Sequence, residues 1–140
     1  MKYLLDTCAI SELVKRKPSK KVLEWLQGID EDTIYLSVLT IGEIQKGIAK
    51  LADSKRKTDI QQWLDNDLHD RFSGRIIPIT EEVASTWGII VAQTEIRGEL
   101  IPSIDSLIGA TAVAHNLTVV TRNIEDILGT GARVLNPWEL

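Results

Sequence analysis

Four acidic residues stand where they could do chemistry. Asp6 closes the apolar run KYLLD and Glu43 sits inside YLSVLTIGEI (residues 35–44). Asp105 opens the small-residue run DSLIGATAVA, and Asp126 follows LTVVT within TRNIED. An ionised carboxylate in an apolar setting must be hydrogen-bonded, paired or bound to a cation, because losing its water is otherwise too costly. Each acid has a local explanation. Asp6 or Thr7 can cap a following helix, and Asp105 favours the positive end of its own. Glu43 fits a T-x-x-E capping box with Thr40, and Asp126 suits a turn. The set as a whole points elsewhere. Four carboxylates converging on one end of a sheet repel one another unless a cation neutralises them, and hard oxygen ligands suit Mg²⁺ or Mn²⁺. Such a pocket fits phosphodiester hydrolysis, where a metal ion lowers the pKa of a water and stabilises developing oxyanions. Nothing points to zinc, because His69 and His115 are far apart and Cys8 is the single cysteine.

The elements that must carry these acids follow from periodicity and breakers. Residues 2–5 read as a buried strand, and Ile10, Leu13 and Val14 recur at helical spacing over 7–16. Pro18 and Ser19 open a helix that Gly28 stops. TIYLSV (33–38) reads as a strand, and Thr40 as the start of the next helix, with Glu43 in its first turn. The polar stretch 53–57 breaks that helix. Ile60, Trp63, Leu64 and Leu68 stripe a further one, ending near Gly74. Residues 75–79 form a strand that Pro78 confines to an edge or an end. Thr80 starts a long helix with Val83, Trp87, Ile90, Val91 and Thr94 on one face, closing at Gly98. Pro102 and Ser103 introduce a helix over 105–114 that is apolar nearly all round, hence buried, with Asn116 as C-cap. Residues 117–121 and 132–135 are the last strands. Alternating strands and helices predict an α/β sandwich around a mostly parallel sheet. Three of the four acids then lie beyond strand C-termini, the end at which open α/β sheets bind ligands.

Bulk properties narrow the classes. The 140 residues fit a single domain over 1–140, and 44% hydrophobic with 26% charged residues is ordinary for a globular chain. No apolar run is long enough to span a bilayer, and MKYLLDT lacks a signal-peptide core. The lone cysteine fits a reducing compartment, so a cytoplasmic location is expected. A net charge of −4 argues against coating nucleic acid by bulk attraction. The charge is uneven, however: Lys15-Arg16-Lys17, Lys20-Lys21 and Lys55-Arg56-Lys57 cluster in the first half. Such runs are usually solvated helix ends, and they could also form a phosphate rim beside an acidic site.

The four acids in this order resemble those of a PIN domain. MKYLLDTCAISEL is similar to the opening LLDTNxxS of PIN-domain toxins of the VapC type. LSVLTIGEIQKGI resembles their second motif, a Thr/Ser-x-x-Glu with a Gly one turn on. IPSIDSLIGATAVAHNLTVVTRNIEDI resembles the third and fourth motifs run together, and VLNPWEL is similar to the close of the FitB-like branch. The resemblance spans essentially the whole chain. It implies a three-layer PIN-like sandwich and an Mg²⁺- or Mn²⁺-dependent endoribonuclease, the toxin of a type II toxin–antitoxin pair. Asp6, Glu43, Asp105 and Asp126 would be its catalytic and metal-binding acids. Thr7 and Thr121 would be supporting hydroxyls, Asn123 would fix the loop bearing Asp126, and Arg122 could hold a phosphate of the RNA substrate. A VapB-type antitoxin and a homodimer are the implied partners, with surfaces that Trp25, Trp63, Trp87 and Trp138 could furnish.

Two residues depart from the pattern: Cys8 replaces the usual Asn, and Ile127 the usual Phe. Glu125 competes with Asp126 for the fourth acid, though the N-x-x-D spacing from Asn123 favours Asp126. The alternative function is a non-catalytic PIN-like RNA- or protein-binding module, against which an intact acid quartet speaks. A response-regulator phosphoacceptor would need adjacent acids after the first strand and a late Lys, and no Lys follows Lys57. A haloacid-dehalogenase-like phosphatase would need D-x-D where Asp6-Thr7-Cys8 stands.

Overall fold

The computed structural model describes residues 1–140. From the N-terminus, β1 (Tyr3–Leu5) leads into α1 (Thr7–Ile10), and α2 (Lys20–Gly28) precedes β2 (Ile34–Ser37). Then come α3 (Val38–Ala49), α4 (Lys55–Gln62), α5 (His69–Arg71) and β3 (Ile76–Ile77). The chain ends with α6 (Glu81–Ile96), α7 (Ser103–His115), β4 (Thr118–Val120), α8 (Ile124–Leu128) and β5 (Arg133–Leu135). The five strands form one sheet in the order β3-β2-β1-β4-β5, with every pairing parallel. Pro78 follows the edge strand β3, where a missing N–H is tolerated.

The sheet is covered on both faces, as parallel sheets are. Successive residues of β1 point to opposite sides, so Leu4 and Leu5 are fully buried in two different cores. Leu5 packs with Ile10, Val22, Ile44, Leu64 and Phe72 from the α1–α5 side. Leu4 packs with Ile108, Ala112 and Ile127 from α7 and α8 on the other. A small third cluster joins Val83 and Ile90 of α6 to Ala110 of α7. This explains the small residues of α7, which is wedged between the sheet and α6. At Gly109 an added Cβ would fall 2.2 Å from Thr130 Oγ1, so only glycine permits that approach. Asn116 ends α7 in the left-handed region (φ 55°), a conformation Asn adopts more readily than most residues.

The helices differ from the sequence expectation at several places, among them α7, which starts at Ser103 and not at Asp105. The segment expected as one helix over 7–16 is α1 followed by a tighter 3₁₀ turn, Ser11–Val14. More consequentially, α3 begins at Val38, and its cap is Ser37, whose hydroxyl accepts from the Leu39 N–H at 3.1 Å. Thr40 is therefore inside the helix, fully buried, with its hydroxyl unpaired. The Thr40–Glu43 capping box does not form, and Glu43 sits in the second turn. Thr80 does cap α6, accepting from Val83 N–H at 3.2 Å, and Ser19 caps α2. Between α4 and α5 the backbone widens into a π-helical stretch, Trp63–Leu68, which no local residue pattern announces.

Candidate metal centre

Chain order in the sheet reverses at β1: the connection runs outward to β2 and β3, then returns to place β4 on the other side of β1. Such a switch point leaves a crevice at the strands' carboxyl ends. Asp6 follows β1 and Thr121 follows β4, so both stand at that crevice. Asp6 is 7% exposed, and both of its oxygens are engaged. Oδ1 accepts from Thr7 N–H at 2.8 Å as the cap of α1, and Oδ2 accepts from Thr121 Oγ1 at 2.8 Å. The same Thr121 hydroxyl accepts from Asn123 N–H at 2.9 Å, locking the turn after β4 to the acid after β1.

Glu43 reaches this place from α3. Its Oε1 accepts a 2.6 Å hydrogen bond from Thr7 Oγ1, across 36 positions of sequence. Thr7 thus links two acids, Asp6 through its backbone and Glu43 through its side chain. Asp105 arrives from the first turn of α7 and accepts from Asn123 Nδ2 at 3.2 Å. Asp126 lies in the first turn of α8.

The charges of the other three acids reach Asp105. Its carboxyl is pushed up to about 6, first by desolvation, then by the negative charges of Asp6, Asp126 and Glu43, against a smaller opposing effect of the Asn123 bond. Glu125 is exposed and contributes nothing comparable. No three acidic, histidine or cysteine side chains are drawn tightly enough to cage an ion by themselves. Asp6 and Glu43 are each held by a threonine hydroxyl, and all four donors are carboxylates. That arrangement fits Mg²⁺, which takes one or two carboxylates directly and keeps several waters.

Cys8 lies beneath the site. Its Sγ is 3.9 Å from Asp6 Oδ2 and 3.5 Å from Thr121 Oγ1, and it accepts from Arg122 N–H at 3.5 Å. Burial pushes the thiol up from its ordinary value, and the nearby Asp6 charge adds to this. It therefore stays a neutral donor, which is what an Asn amide would supply there. Ile127 is fully buried in the α7–α8 side of the core. Arg122 is exposed, with its guanidinium 4.4 Å from the Trp138 ring centroid, a cation–π stack that orients it while leaving its donors accessible.

One buried charge has no counterpart in the sequence reading. Glu12 is 1% exposed, accepts from Ser19 N–H at 2.9 Å and pairs with Lys15 at 2.5 Å. Desolvation opposes its ionisation, but the Lys15 and Ser19 bonds win and its carboxyl is held below the usual range, with Arg122 adding a small attraction. Its place in the SEL of the opening motif was the available signal. The tryptophans pack inward: Trp25, Trp63 and Trp138 against the α1–α5 core, Trp87 against the α6–α7 cluster.

Comparison with known proteins agrees with this geometry. The PIN domain family model matches residues 3–126. The chain is 35% identical over 136 residues to VapC ribonuclease Y4jK of Sinorhizobium fredii, covering 97% of each protein. It is 36% identical over 135 residues to Toxin FitB of Neisseria gonorrhoeae, covering 96% of this chain and 97% of that one. The crystal structure of FitAcB from Neisseria gonorrhoeae superposes with a TM-score of 0.94 at 36% identity over 99% of both chains. A parallel sheet with its switch point at β1, acids at that crevice and relatives matched end to end lead to one conclusion: the chain belongs to the PIN-domain family.

Proposed function

We propose that the protein is a metal-dependent endoribonuclease and the toxin of a type II toxin–antitoxin pair, with Asp6, Glu43, Asp105 and Asp126 as its catalytic acids. The observation that carries this reading is the hydrogen-bonded linkage of Asp6, Glu43 and Asp105 through Thr7, Thr121 and Asn123 at one crevice, where Asp105 is lifted first by desolvation and then by the charges of Asp6, Asp126 and Glu43. A site that forces like charges together gains stability when a cation enters, and the donors present are all hard oxygens. These four acids would hold Mg²⁺ or Mn²⁺. When bound, such an ion supplies a water of lowered pKa and positive charge for the phosphate oxygens.

The chain's own residues do the rest. Thr7 and Thr121 hold Glu43 and Asp6 in place, since both hydroxyls donate to carboxylate oxygens. Asn123 holds Asp105 to the turn that leads into Asp126. Arg122, stacked on Trp138, presents a forked donor to a phosphate of the RNA strand.

A VapB-type antitoxin is the partner that the toxin role calls for, and a homodimer is supported by the surface of α6. Ile89 and Ile96, two turns apart, are 60% and 85% exposed, and Leu100 beyond them is 92% exposed. Large apolar side chains grouped this way mark an association surface. No helix is long and apolar enough to cross a membrane.

The test is cleavage of a single-stranded RNA panel with Mg²⁺ or Mn²⁺, repeated with EDTA. Metal-dependent cleavage that is lost in folded Glu43→Gln supports the reading. Cleavage that persists in EDTA, or that Glu43→Gln retains in full, counts against it.

A further inference from the structure

An acidic centre cannot by itself hold RNA. Four carboxylates repel a polyanion, and the whole chain carries −4, so binding must draw on cations outside the acid set. One such group is built into the fold. A cleft of about 420 Å³ lies between the end of the 3₁₀ turn and α4, lined by Val14, Arg16, Lys55, Arg56, Asp59 and Ile60. Arg56 Nη2 donates to Val14 C=O at 3.3 Å, tying the two elements together and fixing that guanidinium as part of the wall. One bond leaves most of its five donors free.

The charges here are not balanced within the chain. Arg16 and Arg56 are absent from the seven cation–carboxylate pairs of the protein. Asp59 is the acid of the cleft and is taken by Lys55 at 2.8 Å, an exposed pair of small worth. The first turn of α4, capped by Ser54, carries Lys55, Arg56 and Lys57 and no acid. Cations at the positive end of a helix are unfavourable, and an anion in the cleft relieves both repulsions at once.

The cleft is also at a useful distance. Val14 ends the 3₁₀ turn that continues α1, whose cap is Asp6. At the usual rises of the two helix types, about 14 Å is the most that this path can span. That is about four stacked nucleotides along a strand. We infer that the Arg16–Arg56 cleft is a phosphodiester-backbone site for the RNA strand whose scissile bond lies at the four acids. This rests on the ribonuclease reading, and its test is chosen to fail separately.

Arg16 is exposed, so Arg16→Ala removes a cleft cation without opening the core. Cleavage kinetics and RNA binding by fluorescence anisotropy, across a salt series, are measured for wild type, Arg16→Ala and Arg16→Lys. The expected result for Arg16→Ala is a rise in KM of about tenfold with kcat within about twofold, the scale of one lost charged hydrogen bond. The log–log salt slope of binding should fall by about 0.7, the value for one phosphate contact on a single strand. Arg16→Lys should restore the slope and most of the affinity. If wild type cleaves RNA and Arg16→Ala changes neither KM nor slope, the cleft is not a substrate site. If wild type cleaves nothing yet binds RNA through Arg16, the ribonuclease reading fails and the cleft stands as an RNA site. Binding indifferent to Arg16 overturns the inference whatever the cleavage result.

Discussion

Asp105→Asn should remove activity and, in the metal-free protein, raise stability. The Asp105 carboxyl is lifted from 3.8 to about 6 in the folded state. Between those values the folded protein holds a proton that the unfolded chain has released, so stability falls as pH rises through this window. The penalty is absent below about 4 and complete above about 6. At face value a shift of that size is about 3 kcal/mol. Asp105 is only partly buried, so solvent screening brings the expected figure to roughly 1–2 kcal/mol. Asn imitates the protonated acid and can still accept from Asn123. At pH 7.5 in EDTA the variant should therefore melt about 3–7 °C above wild type, using the usual unfolding entropy for a chain of this length. At pH 4 the difference should shrink towards zero. Excess Mg²⁺ should narrow or invert it at pH 7.5, because wild type gains more from the ion. Thermal melts followed by circular dichroism decide the matter. A variant that is less stable in EDTA at pH 7.5, or a difference that ignores pH, would refute the claim that the acids crowd one another.

Thr7→Val deletes the hydroxyl that donates to Glu43 at 2.6 Å and should lower kcat or metal affinity about tenfold or more while leaving the fold intact, read by kinetics and metal titration. Gly109→Ala places a methyl on Thr130 and should cost roughly 2–3 kcal/mol in chemical denaturation. Thr130→Ala in the same chain should recover only part of that loss, since it removes Oγ1 and Cγ2, met at 2.2 and 2.6 Å, but keeps the Cβ met at 2.6 Å. Trp138→Ala frees Arg122 from its stack and should raise KM for RNA more than it lowers kcat, separable in initial-rate measurements.

The layer arrangement and the parallel character of the sheet were largely legible because the strands are short, β-branched and punctuated by Gly, Pro or Asn, and because parallel strands must alternate with helices; the strand order, set by long-range pairing, was not. Three acids after strands were likewise placed by the strands that precede them. Long-range bonds carry no such local signature. Glu43 is held by Thr7, 36 residues away, and nothing near Glu43 in the chain announces it. The T-x-x-E pattern misled because Thr and Glu three apart read the same inside a helix as at its start. What set the start was Ser37 at the end of β2, where the strand stops and a hydroxyl is free to accept from Leu39. Glu12 was passed over for the same reason: its partner Ser19 lies across a loop, and burial of a charge is visible only when the loop is folded. The cleft at Arg56 depends on a bond to Val14, 42 positions earlier, so the basic runs gave composition without position.

The most direct test of the central claim, that four carboxylates form one cation site, is calorimetric titration of Mn²⁺ into wild type, Asp6→Asn, Glu43→Gln, Asp105→Asn and Asp126→Asn, each first shown to be folded. Binding should be present in wild type and weakened in every variant, by about tenfold or more where the acid touches the ion or fixes one that does. Equal affinity in wild type and variants, or loss confined to a single acid with the other three indifferent, would contradict the account.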